Sequence, residues 1–192
     1  MLIIRRFLIG SIVSMLCGCG GGSDAKPDAS NTGTPAVSVC SSASALSTNS
    51  KGDTWYVFGT PGACATPSCT ITPERVCERL QAPKEAWAGV GVGFQTHLDL
   101  SGKTGMAFTA DVRPVGASFD AAIASANGAH GTTWVLTAQS GATTYQVAFD
   151  RSTAWSNDAV AFDLHDTESF AMGDHYQTGG DLTVTLTDVQ SW

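Results

Sequence analysis

The chain predicts an all-β fold, an antiparallel sandwich or barrel, on three observations. Apolar and polar residues alternate with period two in segment after segment, Gly, Asn, Asp and Ser separate those segments at short intervals, and there is no regular strand–helix alternation. In "VGVGFQTHLDL", Val90, Val92 and Phe94 point one way and Gln95, His97 and Asp99 the other. "GMAFTADVRP" repeats the pattern, with Met106, Phe108, Ala110 and Val112 opposite Asp111 and Arg113, and "TTWVLTAQ", "TTYQVAF", "AVAFDLH" and "DLTVTLTDV" continue it.

Taken in order, the chain opens on Arg5 and Arg6 followed by an apolar run from Phe7 to Leu16, the layout of a signal-peptide charged region and core, too short to span a bilayer. From Gly20 to Gly52 there is no aromatic residue, and Gly, Ser, Thr, Asn, Ala and Pro dominate. Such a stretch buries too little apolar surface to offset its ordering entropy, so residues 19–52 read as a flexible tether. Trp55-Tyr56-Val57-Phe58 opens the folded part, and residues 53–192 form one domain with room for a core. Two segments read as short helices on connections. "TPERVCERL" offers Thr72 as N-cap and Pro73 at the first helical position, and "SFDAAIASANG" starts at Ser118 and stops at Asn127-Gly128.

Leu16-Cys17-Gly18-Cys19 resembles the lipobox of bacterial lipoprotein signals, which carry a Leu three residues before the modified Cys and a small residue just before it. That resemblance implies cleavage after residue 18 and a lipidated Cys19, an anchor that needs no spanning helix. Gly20, rather than Asp, follows the Cys, which implies the outer membrane of a bacterial envelope. Removing residues 1–18 leaves 8 basic and 17 acidic side chains. Nucleic acid is therefore excluded as a partner, because phosphate binding depends on clustered Lys and Arg. Four further cysteines, Cys40, Cys64, Cys69 and Cys77, suggest two disulfides in an exported chain, with three connectivities open; Cys64–Cys69 and Cys40–Cys77 are preferred.

The sequence holds no Gly-x-Ser-x-Gly elbow, no His-Glu-x-x-His and no phosphate-cradling glycine loop. The densest polar group is "DLHDTESFAMGDH", with Asp163, His165, Asp166, Asp174 and His175, residue types that bind a metal or act as acid and base where they converge. Sugar binding requires flat aromatic surfaces with polar side chains beside them. Trp55, Trp87 and Trp192 read as core or cover, Trp155 as packing, and Trp134 as a stacking platform if its face of the strand points outward.

"WYVFGT", "AWAGVGVGF", "LDLSGKTGMAFTADV", "YQVAFDRSTAW" and the terminal "LTVTLTDVQSW" together resemble a galactose-binding-like jelly roll, the fold of many carbohydrate-binding modules. The resemblance implies an antiparallel jelly-roll β-sandwich with no resident cofactor beyond a structural calcium, for which Asp53 and Asp188 are the expected ligands. It also implies a noncatalytic glycan-binding face, which the outward polar residues of neighbouring strands, Gln95, His97, Asp111, Arg113 and Gln146, are expected to line beside Trp134. Two rival readings are a structural or adhesion lipoprotein without a small ligand, and a hydrolase built on the 163–175 cluster.

Overall fold

A computed structural model describes residues 39–40, 43–125, 130–155 and 162–192. The expected lipidation residue Cys19, the expected signal segment and the expected helix stop at Asn127-Gly128 all lie outside these residues.

The described residues form thirteen strands in two antiparallel sheets of a jelly-roll sandwich. The six-stranded sheet has the order β1 (Val39–Cys40), β4 (Cys64–Pro67), β5 (Val76–Ala82), β13 (Gly180–Ser191), β7 (Gly105–Arg113) and β10 (Thr143–Ala148). The seven-stranded sheet runs β11 (Thr153–Ala154), β9 (His130–Thr137), β8 (Ser118–Ser125), β12 (Thr167–Asp174), β6 (Ala88–Leu98), β3 (Thr54–Gly59) and β2 (Ala43–Thr48). Between the sheets lies one apolar core in which Val57, Val90, Phe108, Val112, Phe119, Ile123, Phe170, Met172, Val184 and Leu186 are buried. Period-two alternation supplies it, since every second side chain of each strand faces inward.

The described residues include no α-helix. Their helical elements are two short 3-10 turns, Phe149–Arg151 and Leu164–Asp166. Both expected helices are strands. Ser118–Ser125 is paired on both edges, to β9 and β12, and buried on both faces. With both faces buried, its sequence loses the polar alternation that marks a half-exposed strand, so a helical reading competes. At the other segment, Thr72 and Arg75 exchange backbone hydrogen bonds of 3.0 and 3.2 Å, so Pro73 sits inside a tight turn and β5 follows from Val76. Pairing also starts earlier than residue 53: β2 hydrogen-bonds to β3 and closes one sheet edge, burying Leu46.

The disulfides join Cys40 to Cys64 and Cys69 to Cys77, correcting the preferred pairing. The β-ladder dictates this. Cys40 lies directly opposite Cys64 where β1 meets β4, with Cα atoms 4.3 Å apart. Pro67 lies opposite Glu78, which carries Cys69 past the end of β4 to the level of Cys77, at a Cα separation of 5.8 Å.

Candidate glycan-binding face

The two outer faces of the sandwich differ. That of the six-stranded sheet is polar: the Thr109 and Thr144 hydroxyls are 3.0 Å apart, Arg79 makes a two-pronged contact with Asp181 at 2.7 and 2.9 Å, and Arg113 pairs with Asp111 at 2.8 Å. The outer face of the seven-stranded sheet instead carries a second apolar cluster of Tyr56, Phe58, Trp87, Ala122 and Ala171, against which Ala43, Trp155 and Tyr176 pack.

Glycines create this second cluster. Along β6 the inward positions are Ala88, Val90 and Val92, and the outward ones are Gly89, Gly91 and Gly93. Tyr56 lies opposite Gly91 and Phe58 opposite Gly89. Their rings lie down across the neighbouring strand, so that a Cβ added at Gly91 would meet Tyr56 Cζ at 2.5 Å and one at Gly89 would meet Phe58 Cζ at 2.4 Å. In the same way Trp87 covers Gly173 and Trp155 covers Gly131. Phe58 and Trp87 meet edge to face with centroids 4.9 Å apart, and the indole of Trp155 donates to the Thr133 hydroxyl at 2.6 Å. The Tyr56 hydroxyl hydrogen-bonds the Ser169 side chain, and burial pushes its pKa up to about 12, so the ring stays neutral. Tyr56, Phe58 and Trp87 form the buried floor; Trp155 and Tyr176, half-buried, form its rim.

One end of this face is polar. Asp120, on the outward side of β8, is 5% exposed; its Oδ1 lies 2.7 Å from His175 Nδ1, and its Oδ2 accepts the Tyr176 backbone N–H at 3.0 Å. Burial raises the Asp120 carboxyl above the usual carboxylate range, against the opposing pull of Tyr176 N–H and His175. Asp174, next to His175, is fully buried; its Oδ1 accepts the Ala88 N–H at 2.7 Å, and its Oδ2 has no partner among the described residues. Burial pushes its pKa up to about 7. Val135, directly opposite Asp120 on β9, is 60% exposed. Within a few residues this end offers an accessible aromatic rim, an apolar surface and an Asp-held imidazole.

The expected ligand residues are divided between the two faces. Gln95 and His97 lie on the outward side of β6, the side of the glycines, whereas Asp111, Arg113 and Gln146 lie on the outer face of the six-stranded sheet. Gln146 pairs with Ala107, four residues along β7 from Asp111, a separation of about 13 Å. Trp134 corrects the expected platform: it faces the core, is 4% exposed, and its indole donates to the Ala148 carbonyl at 2.8 Å. The strand alternates as expected, but Thr133 and Val135 take the outward side. Asp53 and Asp188 line one cleft of about 170 Å³. Asp53 is already engaged there, accepting the Gln95 backbone N–H at 3.0 Å and the Asn49 side-chain amide at 3.3 Å, and Asp188 accepts the Gln190 amide at 2.5 Å. The 163–175 group does not converge. Strand β12 separates Asp163, His165 and Asp166 from Asp174 and His175 by about 25 Å.

Tyr56, Phe58, Trp87, Asp120 and the glycine row are the part of this face that alternation alone does not single out. Their signal in the sequence is the Gly-x-Gly-x-Gly run at 89–93, a strand with one face stripped of side chains, set beside the aromatic-rich "WYVF".

No protein-family model matches the chain, and no curated protein matches it either. Among solved structures it is similar to a family 11 carbohydrate-binding module from Clostridium thermocellum solved with a β-1,3-1,4-mixed-linked tetrasaccharide. That similarity has a TM-score of 0.53 at 14% identity and covers 76% of this chain and 95% of that one. It is also similar to the family 11 module of the C. thermocellum cellulosomal cellulase Lic26A-Cel5E, with a TM-score of 0.51, 15% identity, and 69% and 86% of the two chains covered. The likeness fixes the class of fold, the jelly-roll sandwich of carbohydrate-binding modules.

Proposed function

We propose that this chain is a lipid-anchored envelope protein whose sandwich domain binds uncharged glycans, without cleaving them, on the outer face of the seven-stranded sheet. The observation that carries the reading is the row of aromatic rings laid over Gly89, Gly91, Gly131 and Gly173. Solvent-facing sides of sandwich sheets are ordinarily polar, as the opposite face is, and the half-buried rings of Trp155 and Tyr176, backed by the buried aromatic floor, suit the apolar face of a pyranose. The Asp120–His175 pair supplies a fixed polar group beside it for ring hydroxyls. The acidic balance of the chain disfavours acidic polysaccharides. Lipidation at Cys19 followed by Gly20 supports placement in the outer membrane, with the residues that follow acting as a spacer.

Affinity electrophoresis and calorimetric titration with neutral β-glucans and mannans test the binding. Trp155→Ala is expected to weaken affinity about tenfold, the worth of one stacked aromatic contact, while Gln146→Ala on the opposite face leaves it unchanged. Loss of binding in Gln146→Ala with none in Trp155→Ala would move the site to the other sheet. A folded protein that binds no glycan would favour the structural or adhesion reading. The anchor is tested separately: Cys19→Ser should shift the protein from the membrane to the soluble fraction, and acyl labelling that persists in that variant would refute the assignment.

A further inference from the structure

At the opposite end of the same sheet, strand irregularity brings together residues that are distant in sequence. Thr167 pairs with Leu98, but the next pair is Ser169 with Gly93, so β6 carries extra residues between these two points. That bulge sets His97 beside the start of β12. His97 Nδ1 lies 2.6 Å from Asp166 Oδ1, and one donor atom each from His97, Asp166 and Glu168 lie within 4.8 Å of one another. Asp166 ends the 3-10 turn and Glu168 is the second residue of β12. A second imidazole–carboxylate pair, His165 with Asp99 at 3.4 Å, lies on the adjoining turn, where the Ser101 hydroxyl and backbone N–H keep Asp99 ionised.

We propose that His97, Asp166 and Glu168 form a binding site for a divalent transition-metal ion of the zinc type. A first-row ion holds nitrogen and oxygen ligands at about 2.0–2.2 Å, so two atoms bound to one ion stand up to about 4 Å apart. The cluster is close to that spacing, and small rotations of these solvent-facing side chains complete it. An imidazole with two carboxylates selects a transition metal over calcium or magnesium, which prefer all-oxygen cages. Three protein ligands leave coordination positions open to solvent. The ion would clamp the bulged end of β6 to the start of β12. This site stands independently of glycan binding.

Calorimetric titration of the purified, disulfide-intact protein with zinc chloride, and separately with calcium chloride, tests the proposal. One saturable zinc site is expected, weakened at least about tenfold in His97→Ala and in Asp166→Asn and unchanged in His130→Ala. Zinc should also raise the thermal midpoint of the wild type and not that of His97→Ala. Both substituted groups that touch the ion are exposed, so the fold survives their replacement. No saturable zinc binding, equal zinc affinity in wild type and His97→Ala, or calcium bound as tightly as zinc would each overturn the assignment.

Discussion

Stability of the wild-type protein should fall by several kcal/mol between pH 5 and pH 8, and Glu78→Gln should remove a large part of that fall. Glu78 lies on the inward side of β5 between Val76 and Leu80, opposite Val184, and is fully buried. Neither of its carboxylate oxygens has a hydrogen-bond partner among the described residues. Burial pushes its pKa up to about 8, so the folded chain holds the neutral acid where the unfolded chain, near 4.5, has ionised. A raised carboxyl pKa means that the folded state binds more protons than the unfolded state between these two values. Its contribution is fully present below pH 4.5 and is lost as pH rises toward 8, by about 3 kcal/mol at pH 7. Asp174, raised to about 7, acts in the same direction over a window that closes one pH unit earlier. Urea unfolding at pH 5 and pH 8 measures both. Parallel profiles for wild type and Glu78→Gln would show that Glu78 is not a buried acid.

Trp134→Ala should destabilise the domain by about 3–5 kcal/mol, the cost of deleting a large core side chain with incomplete relaxation. Its indole fills the core side of β9, sits 6.2 Å from the Phe149 ring, and satisfies the Ala148 carbonyl, which the substitution would leave without that donor. Thermal or urea unfolding reads the loss directly. A folded Trp134→Ala protein of wild-type stability that no longer bound glycan would restore the residue to the surface, contrary to its burial.

The sandwich was legible because one-sided burial writes itself into sequence as alternation. Strands β6, β7, β9, β10 and β13 all show it, and the inward sets expected for β6 and β7 are those observed. Legibility failed where a strand is covered on both faces. Ser118–Ser125 packs Phe119, Ala121 and Ile123 inward and has Asp120, Ala122 and Ala124 on a face that is also buried, so no polar period remained to distinguish it from a helix. The same double burial hid the candidate site. Tyr56 and Phe58 alternate with the core residues Trp55 and Val57 in one apolar run, and pairing with Gly91 and Gly89 shows that they cover the other side of the sheet. Polar residues of the expected ligand face were chosen by their outward phase, which a strand's own sequence supplies. Which sheet each strand joins is set by long-range pairing, and that assignment sends Gln95 and His97 to one side and Asp111, Arg113 and Gln146 to the other. Disulfide pairing failed for the same reason, since the pairing of β4 with β1 and with β5 decides which cysteines meet.

The most direct measurement of where glycan binds is backbone amide chemical-shift mapping of the isotope-labelled protein, titrated with a soluble neutral β-glucan oligosaccharide. Binding to the glycine-and-ring face predicts saturable shifts at Gly89, Gly91, Ala122, Ala171, Gly173 and Tyr176, together with the Trp155 indole N–H, and none at Thr109, Thr144 or Thr185. Shifts confined to those threonines, or an unshifted spectrum at saturating concentrations of every neutral glycan tried, would contradict it.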